Sequence, residues 1–459
     1  MQPGTLFAEK LPAEVWQVIF EHVPKSGDLH SMSVASWKFR NLTTRALHRD
    51  VVWEKERPAA QNLGRWKTER NMASRVQSLA LGIGGVPSDN TAEENAAILD
   101  KHSGSPMIEE YISGTRQADL DYGHLFPFTL QQVQLVLWAR AQTFTNLSFL
   151  VLKNMTIGNG HFRLIHRLAR LRSLRLVECS VDRTAADGFD NRALPITELV
   201  LIGVRRGPGA VPDHPLIVPI QRRQIQVQPV MVHMPLLMLL HRLVQQPLIH
   251  DPFAQALTLA IATNLTTLTV NLSVDVFRHV FSAPGAQARG WTIPVTLEHL
   301  YILQERTITA CHPNHRDDED EYVNDSIYWF CSWARSLKTV STPFFAPQKL
   351  TLDPYTLPPR LEAFAAPFYT AYRVVAYREV KALGVLRADT RQAIHAITLI
   401  ARVRPALEVL VFEVKTWDVE IVYAIAHHLK KLRRMKIVYG KGGPDEVQCI
   451  DLSLHVWSC

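Results

Sequence analysis

Leu171-Arg172-Ser173-Leu174-Arg175-Leu176 is the stretch from which the fold is read: an apolar residue, two others, an apolar residue, one other, an apolar residue. Side chains alternate along a strand, so Leu174 and Leu176 are expected to point into a core while Ser173 and Arg175 face out. The unit recurs. Clear copies begin at Leu147, Ile196, Leu265, Leu297, Leu407 and Leu432, and weaker ones at Val76, Leu337 and Leu361. Copies at Leu147, Leu171 and Ile196, and again at Leu407 and Leu432, start 24 or 25 residues apart. Elsewhere the gaps are longer and hold inserts; a recurring period of this size points to a stack of similar units, the alternative being an ordinary α/β domain with parallel strands.

Amphipathic helices are predicted between copies: Leu130 to Ala141, Phe162 to Arg170, Pro252 to Ala262 capped by Asp251, Ala393 to Val403, and Val419 to Leu429 capped by Asp418. One strand and one helix per unit stack into a parallel-stranded, open array. The pattern resembles leucine-rich repeats, in a degenerate form. The ninth position is Asn in none of the clear copies and Cys only at Cys179, and the helix lengths are uneven. The expected class is therefore α/β, with an irregular leucine-rich-repeat-like solenoid, or horseshoe, over residues 76–459. Gly207 to Pro219 and Thr342 to Pro359 read as inserted loops, and Arg316 to Glu321 as a solvated acidic block.

Ahead of the array, Leu11-Pro12-Ala13-Glu14-Val15-Trp16-Gln17-Val18-Ile19-Phe20 reads as a helix. Pro12 suits its first position and Glu14 its first turn. Leu11, Val15, Trp16, Val18, Ile19, Phe20 and Val23 sweep roughly 200° of its surface at about 100° per residue, and a packing stripe needs only about 100°. The surplus is expected to be covered by a second protein. Two more helices are expected: one carrying Leu29, Met32 and Val34, capped by Ser26 or Asp28, and one through Trp37, Phe39, Leu42, Ala46 and Leu47, ending at Asp50-Val51-Val52-Trp53.

The order Leu11-Pro12-x-Glu14-Val15, Ile19-Phe20, Asp28-Leu29, Ser33 to Ser36, Phe39-Arg40-Asn41-Leu42 and Leu47 to Trp53 resembles the F-box of fungal F-box-like proteins. The match covers residues 7–53, followed by a connector over 54–75. Trp37 and Lys38 depart from it, standing where small or basic residues are more usual. The resemblance implies a three-helix module that binds the Skp adaptor of a cullin-RING ubiquitin ligase. Carried over residue by residue, it makes Leu11, Pro12, Val15, Ile19, Phe20 and Leu29 the adaptor contacts.

Composition fits a folded, non-exported protein. Hydrophobic residues make up 47% and charged residues 20%, and the formal charge of +7 is spread over 50 basic and 43 acidic residues. Such scatter does not predict a nucleic-acid partner. Five widely spaced cysteines without a CxxC pair point to a reducing compartment. Met1 to Lys10 hold no signal-peptide core, and the apolar run Met231 to Leu240 is half the length of a membrane span. No membrane partner is expected, and a cytoplasmic or nuclear location is.

No motif for covalent chemistry stands out: GxSxG, HExxH, GxGxxG and the phosphate loop are all missing from the sequence. Leu81-Gly82-Ile83-Gly84-Gly85 lacks the third fingerprint glycine. Cys311, His312, His315 and Asp317 lack the second ligand pair of a zinc site, and no cofactor or metal is expected. His427 and His428 lie about 100° apart on a predicted helix, which places one at a core edge and one in solvent. The outward positions Phe149, Val151, Arg175, Val200, Thr267, Thr269, His299 and Tyr301, with Arg434 and Lys436 from the basic run Lys430 to Lys436, are unusually aromatic and aliphatic for a wetted sheet. Phe149, Arg175, His299, Tyr301, Arg434 and Lys436 are the expected contacts to a target protein. The expectation is thus a non-catalytic ligase subunit, and its rival is a scaffolding protein with a helical N-terminal cap.

Overall fold

The computed structural model describes residues 11–23, 26–54, 59, 73–83, 92–102, 127–181, 189–206, 258–271, 276–281, 286–303, 327–343, 357–404 and 406–441. The protein is α/β and built on extensive parallel sheet. It divides into two compact units, one formed by 1–189 with 204–210 and one by 190–203 with 211–459.

The first unit opens with three short helices, α1 (Ala13–Glu21), α2 (Ser26–Ala35) and α3 (Trp37–Leu47). Pro12 precedes α1 as its cap residue, one position earlier than the sequence pattern placed it, and its carbonyl accepts from Trp16 N–H. Ser36 Oγ caps α3 by accepting Phe39 N–H at 3.1 Å. Helices this short are marginal alone, so the module depends on packing. Phe20, Leu29 and Ala46 form its centre, ringed by Trp16, Val23, Met32, Phe39, Leu42 and Leu47. Trp16, Phe20 and Phe39 pack ring to ring at 4.9 to 5.7 Å.

Asp50 to Trp53 does not end the helical module but begins the sheet, as strand β1 (Asp50–Trp53) paired in parallel with β2 (Ser78–Leu81), Asp50 opposite Ser78. α4 (Ala92–His102) and α5 (Pro127–Ala141) follow, then β3 (Phe149–Lys153), a short β4 (Thr156–Ile157), α6 (Asn159–Arg167), β5 (Ser173–Val177) and β6 (Ser180–Val181). β1, β2, β3 and β5 lie side by side, while β4, β6 and Arg205–Arg206 make a second, three-stranded ladder. Asn154 and Glu178, with φ of 52° and 53°, take the same left-handed turn between the two ladders.

The second unit continues the design with β7 (Glu198–Ile202), β8 (Thr267–Asn271), β9 (His299–Leu303), β10 (Thr339–Ser341), β11 (Ala363–Pro367), β12 (Ala382–Ala388), β13 (Val409–Thr416) and β14 (Arg434–Lys441), again all parallel neighbours. Residues 327–333 are helical, and α7 (Phe368–Tyr377), α8 (Thr390–Val403) and α9 (Val419–His428) join the last strands. Asp389 and Gln392 form a reciprocal capping box on α8, and Asp418 caps α9 as its sequence position predicts. Of the predicted helix Pro252 to Ala262, Thr258–Ile261 is a single 3₁₀ turn and 252–257 lies outside the described residues. The loops Gly207 to Pro219 and, for the most part, Thr342 to Pro359 also lie outside them, as does the acidic block.

Each sequence copy of the repeat becomes a strand in one register. The first apolar residue is buried in nine of the ten copies, from Val76, Leu147 and Leu171 to Leu361 and Leu407; in the last, Leu432 is half-buried and Met435 is exposed. Just past it, one carbonyl accepts two successive N–H groups of the next repeat. Arg49, Gln77 and Ser148 do this in the first unit, and Thr197, Thr266, Glu298, Lys338, Glu362, Lys381 and Glu408 in the second, all at 2.7 to 3.1 Å. The backbone thus repeats even where the sequence does not. Leu410, Phe412 and Val414, like Leu174 and Leu176, are the buried set of their strands. Gly384 faces Ala365 across β11 and β12, where a Cβ would meet the Ala365 Cβ at 2.6 Å; a larger residue there would push the strands apart.

Five of those residues in the second unit, followed by Arg433 at the same position of the last repeat, alternate in charge: Glu298, Lys338, Glu362, Lys381, Glu408, Arg433. Lys338 pairs with Glu298 at 2.7 Å, Lys381 with Glu362 at 3.5 Å and Arg433 with Glu408 at 3.7 Å. The hydrogen bond from Lys338 holds the Glu298 carboxyl below the usual carboxylate range. A depressed carboxylate contributes stability above its unfolded pKa and loses it as pH falls through the folded one, so this rung weakens under acid. Each pair is exposed and adds little alone; together they oppose a slip in repeat order.

Candidate protein-docking surfaces

Helix α1 divides its broad apolar arc between two faces. Trp16, Phe20 and Val23, at i, i+4 and i+7, turn inward onto α3, and Phe20 is 1% exposed. Val15, Val18 and Ile19 turn outward at 41%, 55% and 40% exposure, about 100° around the helix from the first set. Pro12 is exposed beside them and Leu11 half-buried. Three branched aliphatic side chains on one short helix, backed by a packed core, make a preformed ridge that loses little entropy on docking. Phe20 and Leu29, two of the expected adaptor contacts, are core residues of the module in this structure. Val18, absent from the expected contacts, belongs to the exposed set; its place in the apolar arc was the signal. Val34 and Trp37 are also exposed, Trp37 at 78%.

The residues expected to hold a target fall into separate groups. In the first unit Phe149 and Arg175 sit on adjacent strands, and the Arg175 guanidinium lies 4.8 Å from the Phe149 ring centroid, a cation–π contact on the outward face. In the second unit His299 and Tyr301 stack along β9 at 6.5 Å and are half-buried. Arg434 and Lys436 are exposed on β14, in register with Val409 and Val411. Five strand steps separate them from His299 and Tyr301, roughly 24 Å at about 4.8 Å per step, so these four make two places on one face and not one cluster. Between them the outward positions of β10, β11 and β12 are small, Thr339, Ser341, Ala363, Ala365, Ala382 and Gly384, and those of β13 are Val409 and Val411. The result is a shallow floor with aromatic and basic ends, suited to a broad protein contact.

Nothing among the described residues gathers groups for metal binding. Cys311, His312, His315 and Asp317 lie outside the described residues. His427 and His428 are both exposed, with rings edge to face at 4.7 Å, so the core-edge position expected for one of them is not taken; the turn of α9 that would bury it already ends at Leu429. Burial pushes the Cys331 thiol up to about 12 and raises that of Cys179, which leaves both protonated and unreactive at neutral pH. Among the described residues no helix is long and apolar enough to cross a membrane. No family model matches the chain, and no curated protein is similar to it.

Proposed function

We propose that the chain is the substrate-recognition adaptor of a Skp–cullin–F-box ubiquitin ligase. In this reading residues 11–47 are an F-box-like module that docks on the Skp adaptor, and the strand array is an irregular leucine-rich-repeat-like solenoid that holds the target. The observation that carries it is the outward stripe Val15, Val18 and Ile19 on a helix whose other apolar face, Trp16, Phe20 and Val23, packs on Phe39 and the module core. An exposed aliphatic ridge on a small folded module is the feature a docking subunit needs. No residue of this chain reacts; the ligase works by holding a target lysine near a charged conjugating enzyme, which raises its effective concentration.

Replacing Val15 and Ile19 together by Asp is expected to abolish co-purification with a co-expressed Skp adaptor, with at least a ~100-fold loss of affinity from two desolvated charges in an apolar contact. Both positions face solvent, so the array should melt where the unaltered protein does. Adaptor binding that survives this double substitution rules the docking mode out.

A scaffolding protein with a helical cap is the second reading, and one observation favours it: the chain passes from α3 into β1 within three residues, with Val51 and Trp53 buried. The two readings separate on removal of residues 1–47, which spares β1. A docking module should come away with a melting temperature within a few degrees of the full chain and no aggregation. A cap should not, and light scattering of the truncated protein decides between them.

A further inference from the structure

In the second unit the outward side chains of β10, β11 and β12 are Thr339, Ser341, Ala363, Ala365 and Ala382, all half-buried, and Gly384 adds none. Taller groups border this strip. His299 and Tyr301 stand on β9 to one side, and Val409 and Val411 on β13 to the other, with Arg434 and Lys436 exposed on β14 just beyond the valines. β9 and β13 are four strand steps apart, roughly 19 Å at about 4.8 Å per step. The outward face of the sheet thus carries a trough with a floor of small side chains. An extended segment laid in it would find no backbone partners, because β10, β11 and β12 are each already paired on both sides. Its N–H and C=O groups would be pressed unsatisfied onto alanines, which is costly. An α-helix satisfies its own backbone. Its diameter with side chains, about 10–12 Å, seats on a floor three strands wide with its flanks toward the walls. Three turns of helix, about 16 Å, match the length of a five-residue strand such as β9 or β11.

We propose that this trough holds an amphipathic α-helix of the target protein, apolar where it meets the floor and carrying Asp or Glu on the flank that faces Arg434 and Lys436. The small floor lets the helix backbone come close, so that its large apolar side chains, at i, i+3 or i+4, and i+7, reach the walls. His299 and Tyr301 offer one wall a pair of stacked rings. The cations on β14 give the opposite wall a sign: an acidic flank is drawn there, and a basic one is rejected. The inference rests on the reading that the strand array holds a protein target, and it is independent of whether α1 docks on a Skp subunit.

The test is selection of random linear peptides of about 16 residues, enough for four turns, displayed on phage against the full chain, followed by fluorescence anisotropy with the enriched peptides. These are expected to show the helical apolar spacing with acids on one flank, and to become helical by circular dichroism when bound. A363Q with A382Q raises the floor and should cost at least ~tenfold in affinity. R434E with K436E should cost at least ~tenfold and favour a peptide whose acids are changed to Lys; R391Q, on α8, should leave binding unchanged. Both cations are exposed, so this second pair of changes keeps the test decisive if the first unfolds the chain; thermal melts establish which variants are folded. Enriched peptides of strand-like period two that respond to the floor overturn the helix and leave the array as a target holder. Peptides indifferent to both double substitutions overturn the trough, and the array's role falls with it only if F149A with R175Q is without effect as well. No enrichment overturns both. A dimer of the chain that A363Q with A382Q dissolves, seen by light scattering, would make the trough a contact between copies and overturns the proposal.

Discussion

Phe20→Ala is expected to melt the three-helix module while leaving the strand array in place. Phe20 is the fully buried aromatic at the centre of that module, and it meets Trp16 at 5.5 Å and Phe39 at 5.7 Å. Truncating a buried phenylalanine costs about 3–5 kcal/mol, through lost apolar transfer and the cavity left behind. That is most or all of what a domain of such size can muster, since small cores bury little surface. Hydrogen exchange over residues 11–47 should accelerate to nearly unprotected rates while strands β3 and β5 stay protected. Phe20→Leu should recover most of the protection. The contrast with Val15 and Ile19 matters for any binding experiment: a loss of adaptor binding in a Phe20 variant reports unfolding, whereas a loss in V15D/I19D reports contact. Unchanged exchange in Phe20→Ala would mean that the module's cohesion lies elsewhere.

Trp53→Ala is expected to lower the melting temperature of the array by roughly 6–20 °C, from a loss of about 3–5 kcal/mol. Trp53 closes β1 at 0% exposure, packs against Phe144 at 5.8 Å, and its carbonyl accepts from Gly82 N–H at 3.0 Å. Removing the indole hollows the core beneath β1 and β2, the first pair of strands in the first unit. Differential scanning calorimetry measures it directly. A shift below ~2 °C would show that β1 is an ornament on the sheet and not its foundation.

Much of this fold was legible because burial has a short period. The template found at Leu171 located ten strands by their inward residues alone, and the structure gives all ten a common register. It missed β12, whose Val380-x-x-Leu383-x-Val385 fits the pattern. This copy begins only 19 residues after Leu361, too close for the expected period, and Gly384 breaks the outward face with no side chain at all. β1 is hidden for a different reason: Asp50 to Trp53 follows a helix directly, and in sequence its residues continue that helix's pattern to its end. α7 escaped because Phe368 to Tyr377 is apolar on several sides. At the candidate docking site the sequence showed that α1 had apolar surface to spare, but not which part. That depended on where α3 would lie, and periodicity within one helix cannot say.

The alternating Glu298, Lys338, Glu362, Lys381, Glu408 and Arg433 carry a parity. Excising one repeat, for example the one that supplies Glu362, would bring Lys338 beside Lys381 and set two cations on neighbouring rungs. Excising two in succession would restore opposite signs. Shortening or lengthening of this array is therefore quantised: by the electrostatics of its edge, the natural module of gain or loss is the repeat pair.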